Sequence, residues 1–289
     1  MTSLLADIAI ALALLYVGLV AVVWWFQDQI VFQPPHGIAR TSVAARQVHY
    51  RTSDGLELFA YIVGECGAET PLVLAFHGNA DIARWLVPWA TEVVHRTGAC
   101  VMLPEYRGYD GAPGRPTYAA SARDATAALD YARDSLRVGA DRLVLFGHSL
   151  GTAIAAELAA VTAPRSLVLQ APFSTARAIA TRSFTLAVTG LWSIISHVHF
   201  DTISRVRALS SPVWVAHGDR DIVIPVRMGR EVFAAAARKG ELLVIPGAGH
   251  NDVPDVGGAA YWAWLTRAIT APAEPAIIRG DRAEMKRAP

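Results

Sequence analysis

One serine in this chain stands where a nucleophile can be made. Ser149 occupies the run Gly147-His148-Ser149-Leu150-Gly151, directly after the apolar stretch Leu143–Phe146 and directly before the small-residue helical pattern Thr152–Ala160. A G-x-S-x-G run carries chemistry only in a strand–turn–helix context, and both flanks supply it. The turn is sharp and strained, so Gly147 and Gly151 must lack side chains to clear the neighbouring strand and helix. The hydroxyl then stands above the sheet edge. The amide of Leu150 sits at a helix N-terminus, where partial positive charge gathers.

A serine hydroxyl is a poor nucleophile without a base and an orienting acid. For a serine on such a turn, the chain order is Ser, then Asp or Glu, then His. Two downstream stretches fit: His217-Gly218-Asp219-Arg220-Asp221, and Gly247-Ala248-Gly249-His250-Asn251. Each follows an apolar run, at the carboxyl end of a strand, where ligands bind in open α/β sheets. His250 is the only histidine after His217, which makes it the base by elimination. Asp219 and Asp221 are both available as the acid. Asp221 is favoured because it starts the loop into the next helix; the other aspartate would hold that loop or pair with Arg220. A developing oxyanion needs two convergent amides, and losing one typically costs about 100- to 1000-fold in rate. Leu150 supplies the first, and Asn79 in the loop His77-Gly78-Asn79-Ala80 the second. His77 reads as a structural histidine. The expected chemistry is acyl transfer to water, without metal or cofactor.

These residues need a parallel sheet to position them. Short apolar runs at Leu72–Phe76, Cys100–Leu103, Leu143–Phe146, Leu167–Gln170, Val213–Ala216 and Leu242–Ile245 alternate with helical patterns such as Tyr118–Ser135, Thr152–Ala160 and Val226–Ala237. That rhythm implies an α/β fold with a mostly parallel sheet covered on both faces. Two further strands are expected around Ser53-Asp54-Gly55. About forty residues separate the fourth run from the fifth, more than one crossover helix requires. The apolar stretch there, with Phe184, Leu186, Leu191, Trp192, Ile194 and Ile195, reads either as a helix lying flat on the sheet or as a small cap at about 173–204.

The chain has 289 residues, is 53% hydrophobic, and carries a formal net charge of +1. No basic cluster marks a nucleic-acid partner. The apolar excess is concentrated from Ile8 to Phe26, which holds no charged residue and closes on Trp24-Trp25-Phe26. That length spans a bilayer of about 30 Å as a helix, and the aromatic end suits the interface. No basic leader or small-residue cleavage site accompanies it, so a single-pass signal anchor is expected over residues 1–30 rather than a removed signal peptide. Asp7 before it and Arg40 after it lean towards a cytoplasmic domain, with the side of the membrane left open. A linker is expected over 31–46, the main domain over 47–270, and a flexible tail over 271–289. Cys66 and Cys100 have no metal-ligand spacing; a disulfide between them is left open, and two buried thiols is the favoured reading.

Five motifs in order, FHGNA (76–80), EYRGY (105–109), GHSLG (147–151), HGDRDIVIP (217–225) and GAGHND (247–252), resemble the Bem46-like branch of α/β-hydrolases, related to the serine aminopeptidase S33 domain. The leader ending near VFQPP resembles that branch too. The resemblance covers nearly the whole chain. It implies an α/β-hydrolase fold, Asp221 as the acid, and Asn79 and Leu150 as oxyanion donors. The chain departs from the family's usual glycine and serine at Asp110 and Ala112, and from a second glycine at Thr152, which puts substrate preference in question. The expected substrate is a small-molecule ester or thioester with an apolar acyl part, in keeping with a lipid-derived origin. An aminopeptidase, with Glu105 and Asp110 receiving an ammonium group, and a non-catalytic scaffold are the rivals.

Overall fold

The apolar runs become the strands of one eight-stranded sheet in the computed structural model, which describes residues 2–37, 42–183, 190 and 196–272. The strands are β1 Arg46–Arg51, β2 Glu57–Val63, β3 Leu72–Phe76, β4 Cys100–Pro104, β5 Leu143–His148, β6 Ser166–Gln170, β7 Val213–Gly218 and β8 Lys239–Ile245. Their order is β1-β2-β4-β3-β5-β6-β7-β8. β2 runs antiparallel to β1 and β4, and every other neighbouring pair is parallel. Every residue of β3, β4, β6 and β7 is buried, which accounts for their mainly apolar character, with Ser166, Gln170 and His217 the polar exceptions.

Helices cover both faces. One apolar layer joins the sheet to Tyr118–Asp134, Leu150–Thr162, Thr202–Ala208 and Val226–Ala235. The other joins it to Val87–Thr97 and Val253–Thr270, through Ala90, Val93, Tyr261, Trp264 and Leu265. The last helix is absent from the sequence reading. Pro254 falls in its first turn, where proline is tolerated, but the Gly257-Gly258 pair argues against a long helix, and Gly258 does break its regularity, with φ 47° and ψ −129°.

The sequence reading of the cysteines is corrected: Cys66 and Cys100 form a disulfide, with Cα atoms 5.1 Å apart. β2 lies antiparallel to β4 with Val63 opposite Val101, so the chain just past β2 meets the start of β4. A separation of 34 residues conceals that closeness in the sequence.

A 30-residue helix, α1, runs from Thr2 to Val31. Its segment Leu4–Val31 contains an 18-residue window of mean hydropathy 2.5 and is, among the described residues, the one helix long and apolar enough to cross a membrane. Its large apolar side chains from Leu4 to Leu19 are exposed, whereas Val20 and Gln27 are buried. The excursion after β6 begins and ends at one place, since Thr175 and Asp201 form an antiparallel bridge. The helix Ala176–Ser183 lies within it. The apolar residues on which the cap reading rests, within 184–189 and 191–195, fall outside the described residues, as does most of the proposed tail.

A buried charged pair ties the loops after β3 and β4. His77 donates from Nε2 to Glu105 Oε1 and from Nδ1 to the Gly78 carbonyl, both at 2.9 Å. Glu105 also accepts from the amides of Ala83 and Tyr106, each at 3.0 Å. Two oxygen acceptors on one ring require an imidazolium. Burial opposes that charge, but the Glu105 carboxylate outweighs it and raises the His77 pKa. The folded protein therefore keeps this proton to a higher pH than the unfolded chain, and the pair's contribution is complete below about pH 6.5 and fades as pH rises through the raised value. Glu105→Gln is expected to cost about 3–5 kcal/mol of unfolding free energy at about pH 6. By urea denaturation that deficit shrinks at about pH 9; an equal deficit at both would mean that His77 is uncharged.

Candidate active site

Ser149 joins β5 to the helix Leu150–Thr162 with φ 53° and ψ −116°, a conformation costly for any residue with a side chain. The glycines around it have a steric reason. A Cβ on Gly147 would lie 2.3 Å from the Gly151 carbonyl oxygen, and one on Gly151 would lie 2.2 Å from that of Phe76. The turn is thus pressed against the end of β3. Thr152, where the family often has glycine, donates its hydroxyl to the Ser149 carbonyl at 2.6 Å.

His250 stands between Ser149 and Asp221. Its Nδ1 donates to Asp221 Oδ2 at 2.7 Å, and its Nε2 accepts from Ser149 Oγ at 2.9 Å. The carboxylate fixes the tautomer that leaves Nε2 free to accept. Asp221 Oδ1 accepts from the amides of Val223 (2.9 Å) and Ile224 (2.8 Å). Its Oδ2 also faces His217 Nε2 at 3.2 Å. Burial pushes the Asp221 carboxyl upward, but the hydrogen bonds from His217 and His250 outweigh it and hold the group well below the usual carboxylate range.

Both expected aspartates contribute, in different ways. Asp219 Oδ1 accepts from the Gly247 amide at 2.7 Å, tying the loop after β7 to the loop that carries His250. Arg220 donates its amide to the Ala248 carbonyl at 2.9 Å. Gly218 permits the approach, since a Cβ there would sit 2.3 Å from that carbonyl oxygen. His148 donates from Nε2 to the His250 carbonyl at 3.2 Å. Burial, and then the nearby His250, lower its pKa to about 4, so it stays neutral.

Leu150 opens its helix, so its amide is among the four without an intrahelical acceptor. Asn79 follows β3, beside Ser149 and Leu150 on the wall of one cavity. Its side chain is committed elsewhere. Asn79 Oδ1 accepts from the Gln33 amide (2.8 Å) and the Tyr109 hydroxyl (2.9 Å), and Nδ2 donates to the Val31 carbonyl (2.7 Å). Only its backbone amide is left for an oxyanion. Gly78 lets the loop come close: a Cβ there would be 3.1 Å from His148 Nδ1 and 3.4 Å from Ser149 Cβ.

Sequence reasoning gave no role to His217 or to the end of α1. His217 stands four residues before Asp221 and donates from Nε2 to the Ile224 carbonyl at 2.8 Å, bracing the aspartate's loop. The H-x-x-x-D spacing was the available signal. Nothing in the sequence joins Val31 and Gln33 to Asn79.

Two cavities meet at Ser149. One, about 420 Å³, is mainly apolar and includes Val23, Ile30, Leu150, Phe173 and Ile179. The other, about 530 Å³, lies on the His250 side with Asp81, Trp85, Trp89 and His148. Glu105 is buried and spent on the His77 pair, and Asp110 is paired with Arg84 at 3.0 Å.

The α/β-hydrolase fold family matches residues 71–188. An uncharacterized protein of Mycobacterium tuberculosis is 32% identical over 266 residues, which cover 89% of this chain and 92% of that one. The human α/β-hydrolase domain-containing protein 17B is 28% identical over 204 residues, covering 70% and 68%. Among solved structures, the Pyrococcus furiosus esterase Pf2001 superposes with a TM-score of 0.66 at 17% identity, over 83% of this chain and 99% of its own. With its sheet, helical layers and family match in agreement, the chain belongs to the α/β-hydrolase superfamily.

Proposed function

We propose that this protein is a serine hydrolase that cleaves a carboxylic ester or thioester through an acyl-enzyme on Ser149, in a domain spanning residues 47–270 held at a membrane by α1. The observation that carries the reading is the unbroken chain of contacts, 2.9 Å from Ser149 Oγ to His250 and 2.7 Å from His250 to Asp221.

Ser149 Oγ attacks the carbonyl carbon while His250 Nε2 takes its proton. Asp221 orients the ring and balances the imidazolium that forms. The oxyanion accepts from the amides of Asn79 and Leu150. As the intermediate collapses, His250 returns the proton to the departing oxygen or sulfur. A water molecule, deprotonated by His250, then releases the acid and restores Ser149. The apolar cavity suits the acyl part. The cavity holding His250 suits the leaving group, because that is where the proton is delivered.

The Pyrococcus neighbour is an esterase, in agreement with this chemistry. An aminopeptidase would need a free carboxylate for the substrate ammonium, and neither Glu105 nor Asp110 is free. A fluorophosphonate probe is expected to label the wild type, and Ser149→Ala to abolish labelling; an unlabelled wild type would favour a non-catalytic scaffold. Asp221→Asn keeps the shape but favours the wrong tautomer of His250. Its kcat on short acyl esters should fall by about 10⁴-fold, and a loss below about tenfold would remove Asp221 from the mechanism.

A further inference from the structure

The last two turns of α1 form one wall of the apolar cavity beside Ser149. Val23, Gln27, Ile30 and Val31 line it, at the spacing of a single helical stripe. Hydrogen bonds hold the helix there, and the Tyr118 amide donates to Asp28 at 3.1 Å. Val31 and Gln33 bind the Asn79 side chain at 2.7 and 2.8 Å. Gln27, 1% exposed, accepts from Ser196 Oγ (2.8 Å) and the His197 amide (3.1 Å). His197 in turn donates from Nε2 to Asp28 at 3.0 Å.

The rest of α1 fixes where this cavity would lie. From Leu4 to Val22, with Asp7 one turn from the outer end, the helix measures about 28 Å, close to the ~30 Å of a hydrocarbon core. Trp24 and Trp25 follow, 40% and 71% exposed, at the level where an aromatic belt sits. With that stretch in a bilayer, Val23 stands at the interface. The stripe from Val23 to Val31, about 12 Å long, then leads from the interface to the serine.

We infer that α1 is part of the substrate site, and that the substrate is a long-chain acyl ester resident in the bilayer whose chain reaches Ser149 along the stripe of Val23, Ile30 and Val31. This rests on the hydrolase reading above. The bond broken is the acyl C–O bond. The acyl carbon passes to Ser149 Oγ and then to water, and the alcohol leaves with the proton from His250. A chain that slides along α1 stays out of water, and each methylene so protected is worth about fourfold in binding.

The test uses the full chain in phosphatidylcholine vesicles, with p-nitrophenyl acetate, octanoate and palmitate as probes. Ile30→Trp is expected to lower the palmitate-to-acetate ratio of kcat/KM by more than about tenfold, since it denies the chain several methylenes of contact. Val23→Trp lies about 10 Å farther along the helix. It should lower the palmitate-to-octanoate ratio more than the octanoate-to-acetate ratio, and it serves if Ile30→Trp does not fold. Leu12→Trp, in the exposed span, should move neither ratio. Unchanged ratios in both cavity variants, with acetate still cleaved, overturn the inference and leave the hydrolase reading standing. A wild type that neither cleaves acetate nor takes the fluorophosphonate label overturns the hydrolase reading itself. Fatty acid released from the vesicle lipid would point to a phospholipid as the source, and release from the added ester alone to a neutral one; either upholds the inference.

Discussion

A carboxylate buried at the tip of β7 can exist only if donors surround it, and much of the site is arranged to provide them. Asp221 takes two amides from its own loop and two imidazole N–H groups, one from the strand before it and one from the loop after β8. Those donors set the shape of the loop, the ring plane of His250 and the tautomer that turns Nε2 towards Ser149. Asp219 and Arg220 fasten the same two loops together through main-chain partners. The His250 ring is therefore held from both sides, and the β7–β8 pairing determines how far it stands from the serine.

The serine side is governed by contact rather than charge. Gly147 and Gly151 let the turn press on the end of β3, which brings Ser149 beside the loop that carries Asn79. That loop is fixed by the His77–Glu105 pair below and by α1 above. Each of the four elements at the site is thus set by a neighbour in the sheet, and the strand order β4-β3-β5-β6-β7-β8 brings residues 79, 149, 221 and 250 to one edge.

What the sequence reveals of this follows from range. Ser149, His250 and the strand cores are legible because local pattern determines them: a glycine-flanked turn, an apolar run, a polar loop. The choice between Asp219 and Asp221 is harder, because both sit on one loop and their partners, Gly247 and His250, are supplied by another strand. His217 escapes notice because a buried histidine after a strand has no local mark of its task. The Cys66–Cys100 bridge and the last helix are missed for related reasons. One depends on antiparallel pairing across 34 residues, and the other on tertiary burial of Tyr261 and Trp264 overriding two glycines.

The two ways in which α1 meets the domain differ in what they demand of its sequence. Asn79 engages the carbonyl of Val31 and the amide of Gln33, main-chain groups that many sequences could present at the same place. The cavity wall, by contrast, is made of side chains on one stripe. Residues added before Val23 leave that stripe in phase. One residue added between Val23 and Val31 turns everything before it by about 100° about the helix axis, carrying Val23 off the cavity. The leader is consequently free to vary in length at its outer end and locked in rotation at its inner end, so the boundary between helix and domain is a matter of angular registration rather than of reach.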